Sequence, residues 1–150
     1  MVTSSTFIRD GNFVPITNRG LTTSKEVTFV AGTTGAIGTL DLFVVTGTVV
    51  VNIFAVCSSD LTSGGAVTIS VGTADSVQGL IATETATNIN AGFVWVSNSS
   101  DFIDDYPVSK IVTNSSTITQ TVADATITGG VLTYYCLWTP ISQDGNVVAA

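Results

Sequence analysis

The side chains that could carry chemistry in this chain are few, and they form no familiar catalytic set. The sequence has no histidine, so the commonest general base and every Ser-His or Cys-His pair are excluded. Ser109 and Lys110 are adjacent, but neighbours in a strand point to opposite faces of a sheet. Two carboxylates across a cleft could hydrolyse a glycoside, yet nothing in the sequence selects a pair from the eleven acids. We therefore expect that the protein is not an enzyme.

One dense polar run, NSSDFIDDYP, contains Asp101, Asp104 and Asp105. Oxygen-rich loops can hold Ca²⁺, which takes six to eight oxygen ligands. The spacing does not match an EF-hand loop, and the sequence has no GxxxxGK[ST] phosphate loop. We interpret the run as a solvated acidic loop, and we predict no metal site and no cofactor.

The two cysteines, Cys57 and Cys136, each lie within an apolar run, VNIFAVC and LTYYCLW. This setting is typical of buried thiols that pack as small hydrophobic side chains. A disulfide between neighbouring strands stays open, because the sequence does not give the Cβ separation that such a bond needs. Two thiols without histidine supply only half of a zinc shell. Trp95 and Trp138 lie in strand patterns, which favours packing in a core or an interface.

Composition indicates a single all-β domain. The chain has 150 residues, of which 45% are hydrophobic, and this length suits one domain. Thr, Val, Ser and Ile make up about half of the residues, and Thr, Val and Ile favour strands. The net charge of −7 argues against nucleic acid as a partner, because no basic patch is present.

One apolar stretch, residues 40–57, could be mistaken for a membrane span. It has 18 residues and only Asp41 is charged, but it is shorter than about 20 residues and is interrupted at Gly47. Two buried strands explain it better, so we predict no membrane association. Residues 1–5 are polar, and the chain therefore shows no signal-peptide pattern at its start.

Hydrophobic alternation and glycine-rich turns predict eight to ten strands and no helix. The second strand of the apolar stretch has two apolar faces, which predicts a central strand buried on both sides. We expect residues 58–65 to form a loop and Gly129-Gly130 to form a hairpin turn. The predicted strands are residues 37–45, 49–57, 67–71, 80–85, 93–97, 108–112, 118–122 and 131–138, with shorter ones at 27–30 and 126–128.

This pattern predicts an all-β, antiparallel two-sheet sandwich that is jelly-roll-like, with an up-and-down barrel as the alternative. We assign residues 25–150 to the sandwich domain and residues 1–24 to an extended N-terminal arm. The arm lacks sustained alternation, and three of the four basic residues lie at Arg9, Arg19 and Lys25. A frayed terminus followed by a first edge strand is the alternative interpretation. The mean hydropathy of +0.52 predicts excess apolar surface and hence a homo-oligomer, either a trimer or a dimer.

Three short motifs resemble a known group of proteins. They are F-x-V-T-G-T-V at residues 43–49, V-G-T-A-D at 71–75 and Y-C-L-W-x-P-x-S at 135–142. With the intervening sequence, from about residue 36 to 146, they resemble a family of small β-rich proteins that tailed bacteriophages encode. These motifs are strand and turn patterns, and none of them is a catalytic signature.

The resemblance implies a virion protein on the outer surface of the capsid. Its expected function is capsid decoration: it would bind the shell as a cement protein and stabilise contacts between major capsid subunits, with the major capsid protein as its partner. Our hypothesis is that the arm docks on the shell through Phe7, Ile8, Arg9, Phe13 and Arg19. The alternative is a tail or head fibre module that binds host-surface carbohydrate, which predicts exposed aromatic residues near the loop at 101–106.

Overall fold

The computed structural model describes residues 21–97, 99–113 and 116–150, which form two antiparallel sheets packed face to face. The predicted all-β, two-sheet sandwich is therefore confirmed. The described part of the chain has no α-helix and one 3₁₀ turn at Ala86–Asn88. The strands are β1 (Leu21–Thr28), β2 (Gly38–Thr46), β3 (Val49–Ser63), β4 (Thr68–Thr73), β5 (Ser76–Thr85), β6 (Val94–Val96), β7 (Ser99–Asp101), β8 (Lys110–Val112), β9 (Thr117–Ala123), β10 (Ile127–Pro140) and β11 (Asn146–Ala149).

The strand pairing is nested along the chain. The six-stranded sheet has the order β1-β10-β3-β6-β7, and β8 also pairs with β3. The five-stranded sheet has the order β11-β2-β9-β4-β5. Strand β1 pairs with β10, the last strand but one, and β2 pairs with β9 and β4 with β5. Strands β1 to β4, and again β8 to β11, alternate between the two sheets, which brings their apolar faces together.

The core lies between the sheets and follows directly from strand alternation. In β3, the side chains at alternate positions from Val49 to Cys57 are buried. In β9, Ile118, Gln120 and Val122 are buried while the threonines between them are partly exposed. Each fully buried large apolar side chain contributes roughly 1.5–3 kcal/mol to folding. Trp95, Tyr134 and Phe43 are the largest of these fully buried side chains.

Strand β1 joins the two sheets along one side of the sandwich. The hydroxyl of Thr23 donates to the carbonyl of Val147 over 3.0 Å and accepts from Trp138 Nε1 over 3.0 Å. The ammonium of Lys25 donates to the carbonyls of Asp41 and Ala150 over 2.8 and 2.7 Å. Residues 21–24 therefore belong to the sandwich, and placing the end of the arm at residue 24 was wrong. The alternative interpretation of a first edge strand fits residues 21–28.

Two predicted breaks between strands, the loop at residues 58–65 and the hairpin turn at Gly129-Gly130, are wrong because two long strands pair with each other there. β3 continues through residues 58–63, where a loop was expected, and it pairs there with β10. β10 in turn runs through Gly129 and Gly130 without a hairpin turn, and the register shifts at these residues. Gly130 has φ +115°, and a Cβ there would lie 2.6 Å from the carbonyl oxygen of Asp60. The glycine pair therefore forms bulges that bend a long strand against its neighbour.

Candidate functional site

The outer face of the six-stranded sheet carries a row of mostly apolar side chains on each of its two longest strands. Its side chains alternate with the core residues of the two longest strands, and they are half-buried. Asn52 and Thr133 are the polar members of this set. We call this surface the apolar face; its residues on β3 and β10 are Val50, Phe54, Val56, Val131, Tyr135 and Leu137.

This surface corrects a second expectation about β3. The strand is central, as predicted, but it is buried on one side only, because its second apolar row lies on the outer surface. There the rings of Phe54 and Tyr135 stack with centroids 5.3 Å apart and planes at 20°. Such a pair stabilises the fold by about 0.5–1.5 kcal/mol beyond its buried area. The continuous apolar run from Val49 to Cys57 therefore forms a strand with one face in the core and one face on the outer surface.

A loop that follows β7 stands beside this face and is held at both ends. At its start, the rings of Phe102 and Phe93 meet edge to face with centroids 4.7 Å apart. At its end, Asn52 Nδ2 donates to the carbonyl of Pro107 and to the hydroxyl of Ser109, each over 2.8 Å. The single polar position in the apolar row of β3 thus fixes the loop to the sheet.

Between the loop and the sheet lies a groove of about 380 Å³. Its walls are aromatic and aliphatic, and two carboxylates line one side. Tyr106 is 59% exposed, so much of its ring is accessible. We call this cavity the aromatic groove; it is lined by Phe54, Val94, Asp104, Asp105, Tyr106, Pro107 and Leu137.

The acidic run forms part of this loop and is organised by its own hydrogen bonds. Asp104 Oδ2 accepts from the hydroxyl of Ser99, and Asp104 Oδ1 accepts from the backbone N–H of Asp105 over 2.7 Å. Residues 99–101 form the short strand β7, so the run is only partly the loop that the sequence predicted. Within the described ranges, no three acidic or thiol side chains are grouped so that they could hold a metal ion.

Two polar clefts lie beside the turn between β4 and β5. They have volumes of about 270 and 340 Å³, and Thr73 and Asp75 line both. Lys110 lines the first cleft and Asp41 the second. About half of their other lining residues are threonines and serines, and the rest are apolar residues and a glycine.

The cysteines do not form a disulfide. Both thiols are free and buried, and both face the core from neighbouring strands. Cys57 lies opposite Leu132, while Cys136 lies opposite Ile53. The two cysteines are therefore four residues apart in register, or roughly 13 Å along the strands. Burial raises the pKa of Cys136 to about 12 and also raises the pKa of Cys57, so both thiols stay protonated and unreactive near neutral pH.

A buried hydrogen bond between two polar side chains connects the two sheets within the core, and neither residue was among the predicted site residues. Tyr134 donates its hydroxyl proton to Gln120 Oε1 over 2.6 Å, and both residues are fully buried. Burial raises the pKa of Tyr134 well above its usual value. Trp95 packs edge to face on Tyr134 at 6.4 Å, and Trp138 is also buried, as expected for core packing. The glutamine in the alternating run TITQTVA was the available signal, because it occupies an inward position among apolar residues.

The five residues predicted to dock the arm, Phe7, Ile8, Arg9, Phe13 and Arg19, lie outside the described residues. The aromatic side chains expected near residues 101–106 by the carbohydrate alternative are exposed: Phe102 is 67% accessible, and Tyr106 lines the groove. In the part of the chain that the structure describes, no helix has the length and apolar character to cross a membrane.

Comparison with known proteins gives no match: a scan of protein-family models finds no matching family, and searches of curated proteins and of solved structures find no similar chain. The resemblance to bacteriophage proteins therefore rests on the sequence motifs. The apolar face and the aromatic groove are the features of the sandwich that indicate a binding function.

Proposed function

We propose that this protein is a bacteriophage capsid decoration protein that binds the outer shell and stabilises contacts between major capsid subunits. The observation that supports this most is the apolar face, which lies on an otherwise acidic and threonine-rich body. Its side chains are half-buried but adjoin one another at the surface, and contiguous apolar patches on a soluble domain are typical of interaction sites. A cement protein needs a rigid body and an adhesive surface, and a β-sandwich with one apolar outer face supplies both.

We infer further that the sandwich is of jelly-roll type. The pairing of β1 with β10, β2 with β9 and β4 with β5 follows from an antiparallel ribbon rolled into two sheets, as in folds built from two Greek keys. A homo-oligomer, either a dimer or a trimer, is part of the proposal because apolar side chains are exposed outside the apolar face as well. Val30, Ile37 and Ile141 are each more than half exposed.

The first test is the number of copies in each purified virus particle, measured by quantitative mass spectrometry against the major capsid protein. Hundreds of copies in a simple ratio to the capsid subunit would support decoration. Absence from the particle would contradict every virion function.

The second test deletes the arm. Because β1 begins at Leu21, the deletion should remove residues 2–20 and leave β1 intact. The proposal expects the shortened chain to fold and to lose binding to undecorated heads, since Phe7, Ile8, Arg9, Phe13 and Arg19 are removed. A control that replaces the same residues with a Gly/Ser linker of equal length separates loss of these side chains from loss of length. Undiminished binding by either variant would contradict a docking function of the arm.

A second candidate function, a fibre module that binds host carbohydrate, is favoured by one observation. The aromatic groove combines the exposed ring of Tyr106 with the carboxylates of Asp104 and Asp105, and these groups could contact the apolar face and the hydroxyls of a sugar. A handful of copies per particle, together with a glycan-array signal that Tyr106→Ala removes, would favour this function over decoration.

A further inference from the structure

The described chain begins beside the aromatic groove. Leu21 lies opposite Trp138, and Thr22 lies opposite Leu137, which lines the groove. Leu137 in turn lies opposite Asn52, whose amide holds the end of the loop. Since neighbouring strands are about 4.8 Å apart, Asn52 on β3 lies roughly 10 Å from the start of β1. The twenty residues that precede Leu21 are therefore covalently placed next to a groove that they could fill.

The segment before β1 and the body of the sandwich have complementary charges. Both arginines of the chain, Arg9 and Arg19, precede β1, whereas the body from residue 21 onward has ten acids and two lysines. One of these lysines, Lys25, is bonded to carbonyl oxygens at the opposite sheet. At the groove, Asp104 is tied to Ser99 and to the backbone of Asp105, while Asp105 is exposed. An arginine that reached Asp105 would find a carboxylate and the exposed ring of Tyr106 together, a combination that suits a guanidinium group.

The apolar composition of the segment also matches the groove. Phe13, Val14 and Ile16 lie five to eight residues before Leu21, so an extended chain places them within roughly 16–27 Å of it. Arg19 lies two residues before Leu21, and its reach of about 7 Å along the backbone is extended by a long side chain. Arg19 is therefore the charged residue of the segment nearest to β1 along the chain, and the apolar residues precede it.

We propose that residues 13–20 lie along the aromatic groove of their own chain, with the Arg19 guanidinium against the Asp105 carboxylate and the Tyr106 ring. The segment then covers part of the apolar face and fixes the direction in which residues 1–12 leave the body. This inference goes beyond the proposed function and concerns the isolated protein. On a shell, Phe13 and Arg19 would have to leave the groove before they could dock, and their departure would free the part of the apolar face that they cover.

Trypsin digestion of the full-length protein tests this directly, because trypsin cleaves after Arg19. An engaged Arg19 is cleaved only when the contact opens, so the cleavage rate follows the open population. Asp105→Asn should raise the cleavage rate of the Arg19–Gly20 bond roughly two- to fivefold, the range for an exposed ion pair. Tyr106→Ala should raise the rate as well, since it removes the ring.

Asp75→Asn is the matched control, because it removes one exposed acid that does not line the groove, at the turn between β4 and β5. It should leave the rate unchanged. Thermal unfolding of all three variants checks that the body is intact. Equal cleavage rates in the wild-type protein, Asp105→Asn and Tyr106→Ala would overturn the inference, as would the same acceleration in Asp75→Asn.

A second measurement does not rely on a variant. Nuclear Overhauser effects between side chains of residues 13–19 and the rings of Phe54 and Tyr106 are expected in the isotopically labelled full-length chain. Their absence would overturn the inference. In a mixture of labelled and unlabelled chains, effects that connect two different copies would also overturn it, because they would place the segment on a second copy.

Discussion

The central strands of the two sheets carry different outer rows although both sheets are antiparallel. On the five-stranded sheet, the outward positions of β9 are Thr117, Thr119 and Thr121, and each alternates with a buried residue. On the six-stranded sheet, the outward positions of β3 and β10 are mostly valine, leucine and aromatic residues. Along these central strands one outer row is therefore polar and the other is apolar, although Val44 and Val148 near one edge of the five-stranded sheet are also exposed. The apolar row is the one that a partner or the N-terminal segment could cover.

This difference shows what strand alternation can and cannot reveal. A strand with one polar row has only one face that can enter a core, so its orientation follows from the sequence. A strand with two apolar rows could lie in the middle of a layered structure or could present its second row on the surface. Substitutions on the two sheets should therefore have unequal effects on stability and on binding.

The largest effect on stability is expected from a glycine on the outer face of the five-stranded sheet, which we call the polar face. A Cβ at Gly72 in β4 would lie 1.9 Å from the carbonyl oxygen of Ser76 and 2.6 Å from the carbonyl carbon of Val77. Both atoms are backbone, so Gly72→Ala should lower the free energy of unfolding by about 3 kcal/mol. Gly129→Ala in β10 is the control, because its nearest contact is the movable Thr62 hydroxyl at 3.1 Å. Urea unfolding measures both, and similar losses would show that β4 and β10 tolerate added volume equally.

The next effect concerns binding. Leu137→Glu places a charge on the apolar face, and Thr119→Glu places the same charge on the polar face. If the apolar face docks on the shell, Leu137→Glu should weaken binding to undecorated heads by about 2 kcal/mol, roughly 30-fold. Thr119→Glu should leave binding unchanged. Sedimentation of heads with the bound protein measures both variants, and an equal effect would remove the functional distinction between the faces.

A smaller effect is expected in the pH dependence of stability, from titratable groups on the inner face of the six-stranded sheet. Cys57, Tyr134 and Cys136 all face the core from the six-stranded sheet, and burial raises the pKa of each. The unfolded chain loses the Cys136 proton near pH 9, whereas the folded protein keeps it until about pH 12. Stability from this group is thus fully present below pH 9 and is lost as the pH rises towards 12. At pH 10 the loss is about 1.4 kcal/mol.

Cys136→Ala should make the free energy of unfolding less dependent on pH between 8.5 and 10.5, whatever its effect at pH 7. Urea unfolding at several pH values measures this slope. An unchanged slope in Cys136→Ala would mean that this thiol ionises equally in both states.

The smallest effect is expected on the polar face. The hydroxyl of Thr121 is shielded from solvent and has no hydrogen-bond partner among the residues that the structure describes. Thr121→Val keeps the shape and removes this hydroxyl, so it should stabilise the protein by about 0.5 kcal/mol. Thr23→Val is the contrasting variant and should destabilise, because Thr23 bonds Val147 and Trp138. Thermal unfolding checks both, and a destabilised Thr121→Val would show that its hydroxyl is satisfied.

The fold was largely predictable and the candidate site was not. Alternation in TITQTVA and in the run from Val49 to Cys57 identified strands because the side-chain period of a strand is two. The aromatic groove depends on residues from β3, β6, β10 and the loop after β7, which are up to 83 positions apart in the sequence. The bond from Asn52 to Pro107 spans 55 positions, and no local pattern indicates it.

The sequence by itself determined that this chain is all-β, acidic and rich in strands with apolar inward rows, since these features depend on composition and local period. Only the tertiary structure decided that β3 and β10 pair over their full length, that their glycines form bulges, and that their second apolar row faces outward. The physical reason is that pairing and burial depend on which strands meet. Identical alternation is compatible with many partners, and the choice among them is made by long-range packing.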